Sequence, residues 1–419
     1  MICGLLGKNI AHSHSPKIHG KIGEYEYLLI DRESAEEALA FIEENDEFAI
    51  NITSPYKEIA FSACDHHSEI ARRIGAVNVV LKRDGEIYGD NTDYYGFNTA
   101  LAMGGNRPTG KRVVIFGSGG AGKAAALAAI DAGAKSVKIM SRDPASCGEI
   151  RFESDAFGIV GYDDERASAE AEIIINATPA EKDGQTSAPV EMVNFPNCRF
   201  VFDLNYNPLK SELLLNAKEM GIKTENGLTM LVAQAYKSAM LFGKIHNFSR
   251  SNVENTAAEL LKSLRNIVLI GMGGVGKTTT ARALSKRTGI EFIDSDQRVC
   301  DIYGEYPNRI ISEQGEKEYR RIEAEVLKGL LSERGKIISL GGGAVVHQGL
   351  MREFSKNATM VFMDEELEKL SRHNRPLYTD DVEVERIYEQ RIKLYRKFSD
   401  IQLYAGMNRW RILERLEKL

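Results

Sequence analysis

Two glycine-rich stretches have residue types and spacing that imply chemistry. Gly117-Ser-Gly119-Gly120-Ala-Gly122-Lys123-Ala124 and Gly271-Met-Gly273-Gly274-Val275-Gly276-Lys277-Thr278 both fit G-x-G-x-x-G, and both fit G-x-x-x-x-G-K. The residue after the lysine separates them. A triphosphate-binding loop needs a hydroxyl there to ligate magnesium, while its lysine reaches the β- and γ-phosphates. Thr278 supplies that hydroxyl and Ala124 does not. The second loop therefore reads as an ATP site spanning Gly271, Gly273, Gly274, Val275, Gly276, Lys277, Thr278 and Thr279, with Lys277 catalytic and Thr278 on Mg2+. The first loop follows the apolar run VVIF and opens an alanine-rich helix. There, Gly117, Gly119, Gly120 and Gly122 let the backbone approach a pyrophosphate at the helix N-terminus. The next strand ends in Ser141-Arg142, a cation where NADP carries its 2′-phosphate and where NAD asks for an acid. The cofactor expected at this loop is NADPH/NADP+, with Asp143 an anion in an awkward place beside Arg142.

Elements must hold these loops. Short β-type runs (Arg112 to Phe116, Ser136 to Met140, Ile173 to Asn176, Phe200 to Asp203) alternate with helical stretches, the pattern of parallel α/β sheets. A polar, helix-prone stretch precedes a fresh strand, Ile267 to Ile270, that leads into the second loop. The expected division is a substrate-binding α/β domain at 1–103, completed by a helix at 226–245; a Rossmann NADP-binding domain at 104–225; a linker at 246–265; and a P-loop α/β domain at 266–419.

Between these loops lie further candidates. Ser13 and Ser15, in Gly7-Lys-Asn-Ile-Ala-His-Ser13-His-Ser15-Pro16-Lys-Ile-His19, are two hydroxyls that can donate to a carboxylate without adding charge. Asn51-Ile-Thr53-Ser-Pro-Tyr-Lys57, Gly75-Ala-Val-Asn78 and Gly89-Asp-Asn-Thr-Asp93 follow in order. From residue 1 to about 245 the chain resembles the shikimate dehydrogenase family on these stretches. The resemblance implies reduction of 3-dehydroshikimate to shikimate, with Ser13 and Ser15 on the substrate carboxylate. It makes Lys57 and Asp93 the catalytic pair, and Asn51, Thr53 and Asn78 the partners of the substrate hydroxyls. Hydride reaching a ketone carbon leaves an alkoxide that must gain a proton, which an ammonium can donate and a neighbouring carboxylate can orient. Which of the two transfers it stays open at this point. By the same resemblance Asn176 and Thr178 of Asn176-Ala-Thr178-Pro179 lie by the nicotinamide, together with Gly227, while Tyr206 and Gln234 meet substrate. The chain departs from the family in a short stretch between His19 and Tyr27, in Gly20 for an asparagine, and in lacking Gly-Met after Pro179.

Phe292-Ile-Asp294-Ser-Asp296 reads as a strand delivering two carboxylates to one side at period two. With Gly315-Glu-Lys-Glu-Tyr319-Arg320-Arg321-Ile-Glu323, the triplet Gly341 to Gly343, Arg375-Pro-Leu and Arg391 in YEQRIKLY, the chain from about 266 onward resembles shikimate kinase. That resemblance implies Asp294 on the magnesium side, and Asp296 binding shikimate and accepting its proton. Arg320 would pair with the substrate carboxylate, with Glu323 nearby and Arg391 as a second arginine. Gly341, Gly342 and Gly343 would lie against the substrate, and Arg375 would cover the phosphates, although the lid between Arg372 and Arg375 is shorter than the family's.

At 419 residues the chain exceeds one ordinary core, and 43% hydrophobic with 27% charged residues is a soluble composition. No apolar run approaches the roughly 18 residues of a membrane span, and the N-terminus lacks a signal-peptide pattern, so a cytoplasmic protein without membrane partners is expected. Five scattered cysteines predict neither disulfides nor zinc, and a net charge of −6 gives no footprint for nucleic acid. The expected partners are small molecules, with a homodimer left open. Three rival readings are a dehydrogenase that also accepts quinate, a fusion with one active half, and a ligand sensor that kept both pockets. The last should have lost Lys57, Asp93, Lys277 or Asp294, and all four are present.

Overall fold

The computed structural model describes residues 1–147, 152, 154–179, 190–370, 377, 380–404 and 409–418. It divides into two compact units, Met1–Leu260 and Leu261–Leu419.

The first unit contains two sheets. One is formed by β1 (Ile2–Gly7), β2 (Leu28–Asp31), β3 (Phe48–Ile52), β4 (His66–His67), β5 (Val79–Arg83) and β6 (Glu86–Asp90), in the order β2-β1-β3-β5-β6-β4. Its pairings are parallel except β3 with β5 and β5 with β6. The other is all parallel: β7 (Arg112–Phe116), β8 (Ser136–Ser141), β9 (Phe157–Gly161), β10 (Ile173–Asn176), β11 (Phe200–Asp203) and β12 (Lys223–Asn226), in the order β12-β11-β10-β7-β8-β9. The order reverses at β7, the switch point where doubly wound sheets open a ligand crevice. The runs RVVIF, IIIN and FVFD make central strands because they bury apolar side chains on both faces, as parallel sheets require. On one face the helix Gly120–Asp131 packs closely, its side chains from Ala124 to Ala129 completely buried and mostly alanine.

Two long helices join the sheets. Asp93–Gly104 packs along Leu228–Leu241, and the latter returns from β12 to the first sheet, where Ser238 reaches Asn51 on β3. The stretch 246–265 is helical from Arg250 to Leu264, with Val253 and Leu260 buried and Thr256 hydrogen-bonded to Tyr236 at 2.9 Å.

The second unit is a five-stranded parallel sheet of β13 (Asn266–Ile270), β14 (Phe292–Asp294), β15 (Ile337–Ser339), β16 (Ala358–Asp364) and β17 (Ile401–Tyr404), in the order β14-β15-β13-β16-β17. Its core runs from Ile267 to Leu416. Among the described residues no helix is long and apolar enough to cross a membrane.

Candidate active sites

In the first unit Lys57 opens the helix Lys57–Ser62 and Asp93 opens Asp93–Gly104, so two helix starts aim their first side chains at each other. Lys57 Nζ donates to Asp93 Oδ2 at 2.6 Å, and Asn78 Nδ2 donates to Asp93 Oδ1 at 2.8 Å. Both carboxylate oxygens therefore receive an N–H. Asn78 Oδ1 accepts from the Thr92 backbone at 2.6 Å, which locks the loop carrying Asp93. The pair lies in a cleft of about 230 Å³, below the roughly 300–1,000 Å³ of pockets for drug-sized ligands and suited to a small polar one. Ser13, Ser15, Asn51 and Thr53 line it from the first sheet, and Tyr206, Gly227 and Gln234 from the second sheet and the returning helix. Ser13 Oγ and Ser15 Oγ are 3.1 Å apart. Burial pushes the Tyr206 phenol up, opposed by a hydrogen bond with the His14 backbone, so it stays a neutral hydroxyl.

The first glycine loop borders the same cleft. Gly117 has φ +102°, and a Cβ on Gly122 would stand 1.9 Å from the Gly117 carbonyl oxygen, so the turn closes only around glycine. Gly119 caps the helix Gly120–Asp131, and a Cβ on Gly120 would come within 3.1 Å of the Lys57 chain. Ser141 ends β8 and Arg142 follows it, exposed. At the end of β10, Asn176 Oδ1 accepts from the Thr178 hydroxyl at 2.6 Å and Nδ2 donates to Asp203 at 3.1 Å. Burial pushes the Asp203 carboxyl up, against donors from Ser211, Asn205 and Asn176. A glycine cradle at a helix N-terminus, an exposed cation beyond the next strand and a dyad alongside fit a phosphorylated dinucleotide.

In the second unit the loop Gly271–Gly276 joins β13 to the helix Lys277–Thr288. Lys277 Nζ donates to the carbonyls of Gly271 and Met272, both at 2.9 Å, so the ammonium lies folded over the loop. Val275 is buried beneath it, and Thr278 and Thr279 enter the helix. Thr278 Oγ1 donates to Asp294 Oδ2 at 2.6 Å. This hydroxyl and carboxylate are a sparse, all-oxygen donor set, which fits Mg2+, an ion that keeps several of its waters. Among the described residues no group of three or more His, Cys, Asp or Glu could hold a metal.

One expectation is corrected here. Asp294 and Asp296 are not two steps along one strand, because β14 ends at Asp294 and a helix begins at Ser295. Asp294 Oδ1 accepts from the backbone of Asp296 and Gln297, and this N-cap turns the chain. Asp296 accepts from Tyr319 OH at 3.4 Å, and both carboxylates line one pocket with Thr278.

Around Asp296 gather the other candidates. Arg320 Nη1 donates to Glu323 Oε2 at 2.7 Å and Nη2 to Glu316 at 2.8 Å. Burial acts to raise the Glu323 carboxyl, but hydrogen bonds and charge from His347 and Arg320 outweigh it and hold the group below the ordinary carboxylate range. A Cβ on Gly341 would lie 2.7 Å from Asp296 Oδ1, one on Gly342 2.6 Å from the Gly273 amide, and one on Gly343 2.0 Å from Arg320 Nη1. The glycine triplet thus brings the second loop against the Asp296 and Arg320 cluster. Arg391 Nη1 reaches the Gly342 carbonyl at 3.3 Å. Arg375 lies outside the described residues.

Comparison with known proteins agrees with this division. The model of the shikimate dehydrogenase substrate-binding domain matches residues 5–80, and that of shikimate kinase matches residues 273–415. A shikimate dehydrogenase (NADP(+)) from Caldicellulosiruptor bescii is 36% identical over an alignment of 259 residues that covers 58% of this chain and 90% of that protein. The chain belongs to the shikimate dehydrogenase family. Residues 273–415 carry, in addition, a shikimate kinase domain. Shikimate dehydrogenase 1 from Peptoclostridium difficile superposes with a TM-score of 0.56 at 32% identity, covering 62% of this chain and 97% of its own. The Thermus thermophilus shikimate dehydrogenase, solved with NADP(H) and shikimate, gives 0.54 at 32% identity, covering 62% and 99%.

Beside the motifs of this shikimate dehydrogenase family member stand residues that the sequence reading did not single out. Tyr27 OH donates to Asn51 Oδ1 at 2.8 Å, and Thr92 and Ser238 share a hydrogen bond of 3.0 Å behind the cleft wall. Ser238 carries a faint signal, since it stands four residues after Gln234 on the same helix face. Tyr27 has none. In the kinase domain His347 Nε2 lies 3.1 Å from Glu323 Oε2, a contact that no local pattern marks.

Proposed function

We propose that the chain catalyses two successive reactions, NADPH-dependent reduction of 3-dehydroshikimate in its first unit and ATP-dependent phosphorylation of shikimate in its second. The observation that carries the first is the Lys57–Asp93 pair in a small polar cleft beside a dinucleotide loop. NADPH supplies the hydride when bound. Ser13, Ser15 and Tyr206 hold the substrate carboxylate by neutral hydroxyls, which leaves Lys57 as the cation free to meet the reducing carbonyl. As the carbon is reduced, its oxygen takes a proton from the Lys57 ammonium. Asp93, an acceptor for two N–H donors, orients that ammonium and stabilises its charge, so the geometry favours Lys57 as the proton donor.

In the second unit Asp296 accepts the proton of the attacking shikimate hydroxyl. Arg320 and Arg391 meet the carboxylate, with the substrate carboxylate replacing the exposed Glu316 as Arg320's partner. Thr278 and Asp294 would hold magnesium, which would neutralise phosphate charge there. Lys277 leaves the Gly271 and Met272 carbonyls for the phosphates, and Arg375 adds charge over them.

The test is a pair of separate assays of the purified chain, one with 3-dehydroshikimate and NADPH following NADPH loss, the other with added shikimate, ATP and magnesium following ADP formation. Lys57→Ala should lower the first rate by at least about a hundredfold and spare the second, and Lys277→Ala should do the reverse. Absence of both signals from the unaltered chain would sink the reading.

A further inference from the structure

Ser238 is completely buried on the helix Leu228–Leu241, one turn beyond Gln234. Its Oγ lies 2.8 Å from the Gln234 carbonyl oxygen, 2.8 Å from Asn51 Nδ2 and 3.0 Å from Thr92 Oγ1. A carbonyl only accepts, and a serine hydroxyl has one hydrogen. That hydrogen is committed to Gln234, so Ser238 offers lone pairs to Asn51 and Thr92. The 3.0 Å contact must then use the hydrogen of Thr92. Thr92 Oγ1 also stands 3.2 Å from Asn78 Oδ1 and 3.3 Å from Gln234 Oε1, two acceptors that receive nothing from this hydroxyl while its hydrogen is spent on Ser238.

The consequence reaches the cleft. Both N–H groups of Asn51 are taken, by Ser238 and by the Asn78 carbonyl at 3.2 Å, while its Oδ1 receives Tyr27 and keeps a lone pair. Gln234 Nε2 spends one of its two N–H groups on the Leu231 carbonyl at 3.0 Å, and Oε1 is the acceptor of its side chain. Asn51 and Gln234 both line the cleft.

We propose that Ser238 is a positioning residue that fixes Asn51 Oδ1 and Gln234 Oε1 as acceptors toward the substrate, and so selects a ring carrying hydroxyl donors there. This rests on the dehydrogenase reading of the same cleft. Without the Ser238 hydroxyl, the Thr92 hydrogen is released to Gln234 Oε1 or Asn78 Oδ1 and Asn51 gains an unplaced N–H, so the wall loses its fixed polarity.

The experiment uses the full chain in the direction of shikimate oxidation with NADP+. Shikimate is compared with two analogues, each lacking one of the two ring hydroxyls that do not react. Ser238→Ala should raise KM for shikimate by about tenfold, the size expected for one buried hydrogen bond, with KM for NADP+ and the ATP-dependent reaction unchanged. For the analogue already lacking the matching hydroxyl the same substitution should change KM by less than about twofold. Ser238→Thr, which keeps the hydroxyl, should restore shikimate binding. If Ser238→Ala unfolds the first unit, Ser238→Cys carries the same comparison with a weaker bond. An unchanged KM for shikimate, or an equal loss for shikimate and both analogues as a packing defect would give, overturns the proposal. If the unaltered chain oxidises no shikimate, the dehydrogenase reading falls instead, so the two failures are distinct.

Discussion

Each oxygen of Asp93 has its own N–H donor, and the donors come from different elements: Lys57 from the start of a helix and Asn78 from the residue before β5. The carboxylate cannot swing, and Lys57 cannot leave it without losing a hydrogen bond of 2.6 Å. Asn78 spends its amide on Asp93 and Thr92, so its chief work is to hold the pair. A second buried acid makes a prediction in pH. Burial pushes the Glu225 carboxyl up to about 7, opposed by the Asn106 side chain and then by the charge of Lys223. A folded pKa above the ordinary 4.5 means that the fold favours the protonated form. The first unit is then most stable with respect to this group below about pH 4.5, and that stability declines as pH rises toward about 7, by at most about 3 kcal/mol. Chemical denaturation of Glu225→Gln should show a flatter loss across that window than the unaltered chain. Equal slopes would show that Glu225 ionises freely in the folded state.

At the scale of elements, the two glycine loops show how one pattern serves two chemistries. Both join a central parallel strand to a helix, and in each the helix N-terminus opens at the end of the loop, where backbone N–H groups favour an anion. The first is closed by contact of backbone on backbone. Gly122→Ala would press a methyl to 1.9 Å from the Gly117 carbonyl, and should raise KM for NADPH by at least about tenfold while leaving the kinase rate intact. An unchanged KM would mean that the loop can open without cost to the cofactor site. The turn after β14 teaches a different lesson. Asp-x-Asp at the end of an apolar run fits a strand by alternation, yet an aspartate is also a strong N-cap, and here two backbone N–H groups are bonded to its Oδ1. Alternation over three residues is too short to overrule a cap.

At the scale of the molecule, each unit builds a hydrophobic core from its own residues, the second on β13 and β16 and the first on its two sheets. Ligands should therefore act on them separately. Calorimetry should resolve two unfolding transitions, one raised by NADP+ and the other by ATP with magnesium, each ligand leaving the other transition in place. A single transition moved by both ligands would show that the units unfold together.

The sequence by itself determined the α/β class, the two loops and the difference between them, because a strand, a tight glycine turn and a hydroxyl after lysine are local requirements. It also determined the order of motifs that marks the family, since Asn51, Lys57, Asn78 and Asp93 are spaced by the chain between them. Only the tertiary structure decided which donors those residues meet. Ser238 lies 187 positions from Asn51 and 146 from Thr92 along the chain. It joins them because the helix after β12 returns to the first sheet, and no local preference encodes that return. The hydrogen-bond polarity of the cleft is settled by this packing, since one serine hydrogen, held by a helix carbonyl, decides which neighbours must give and which must receive.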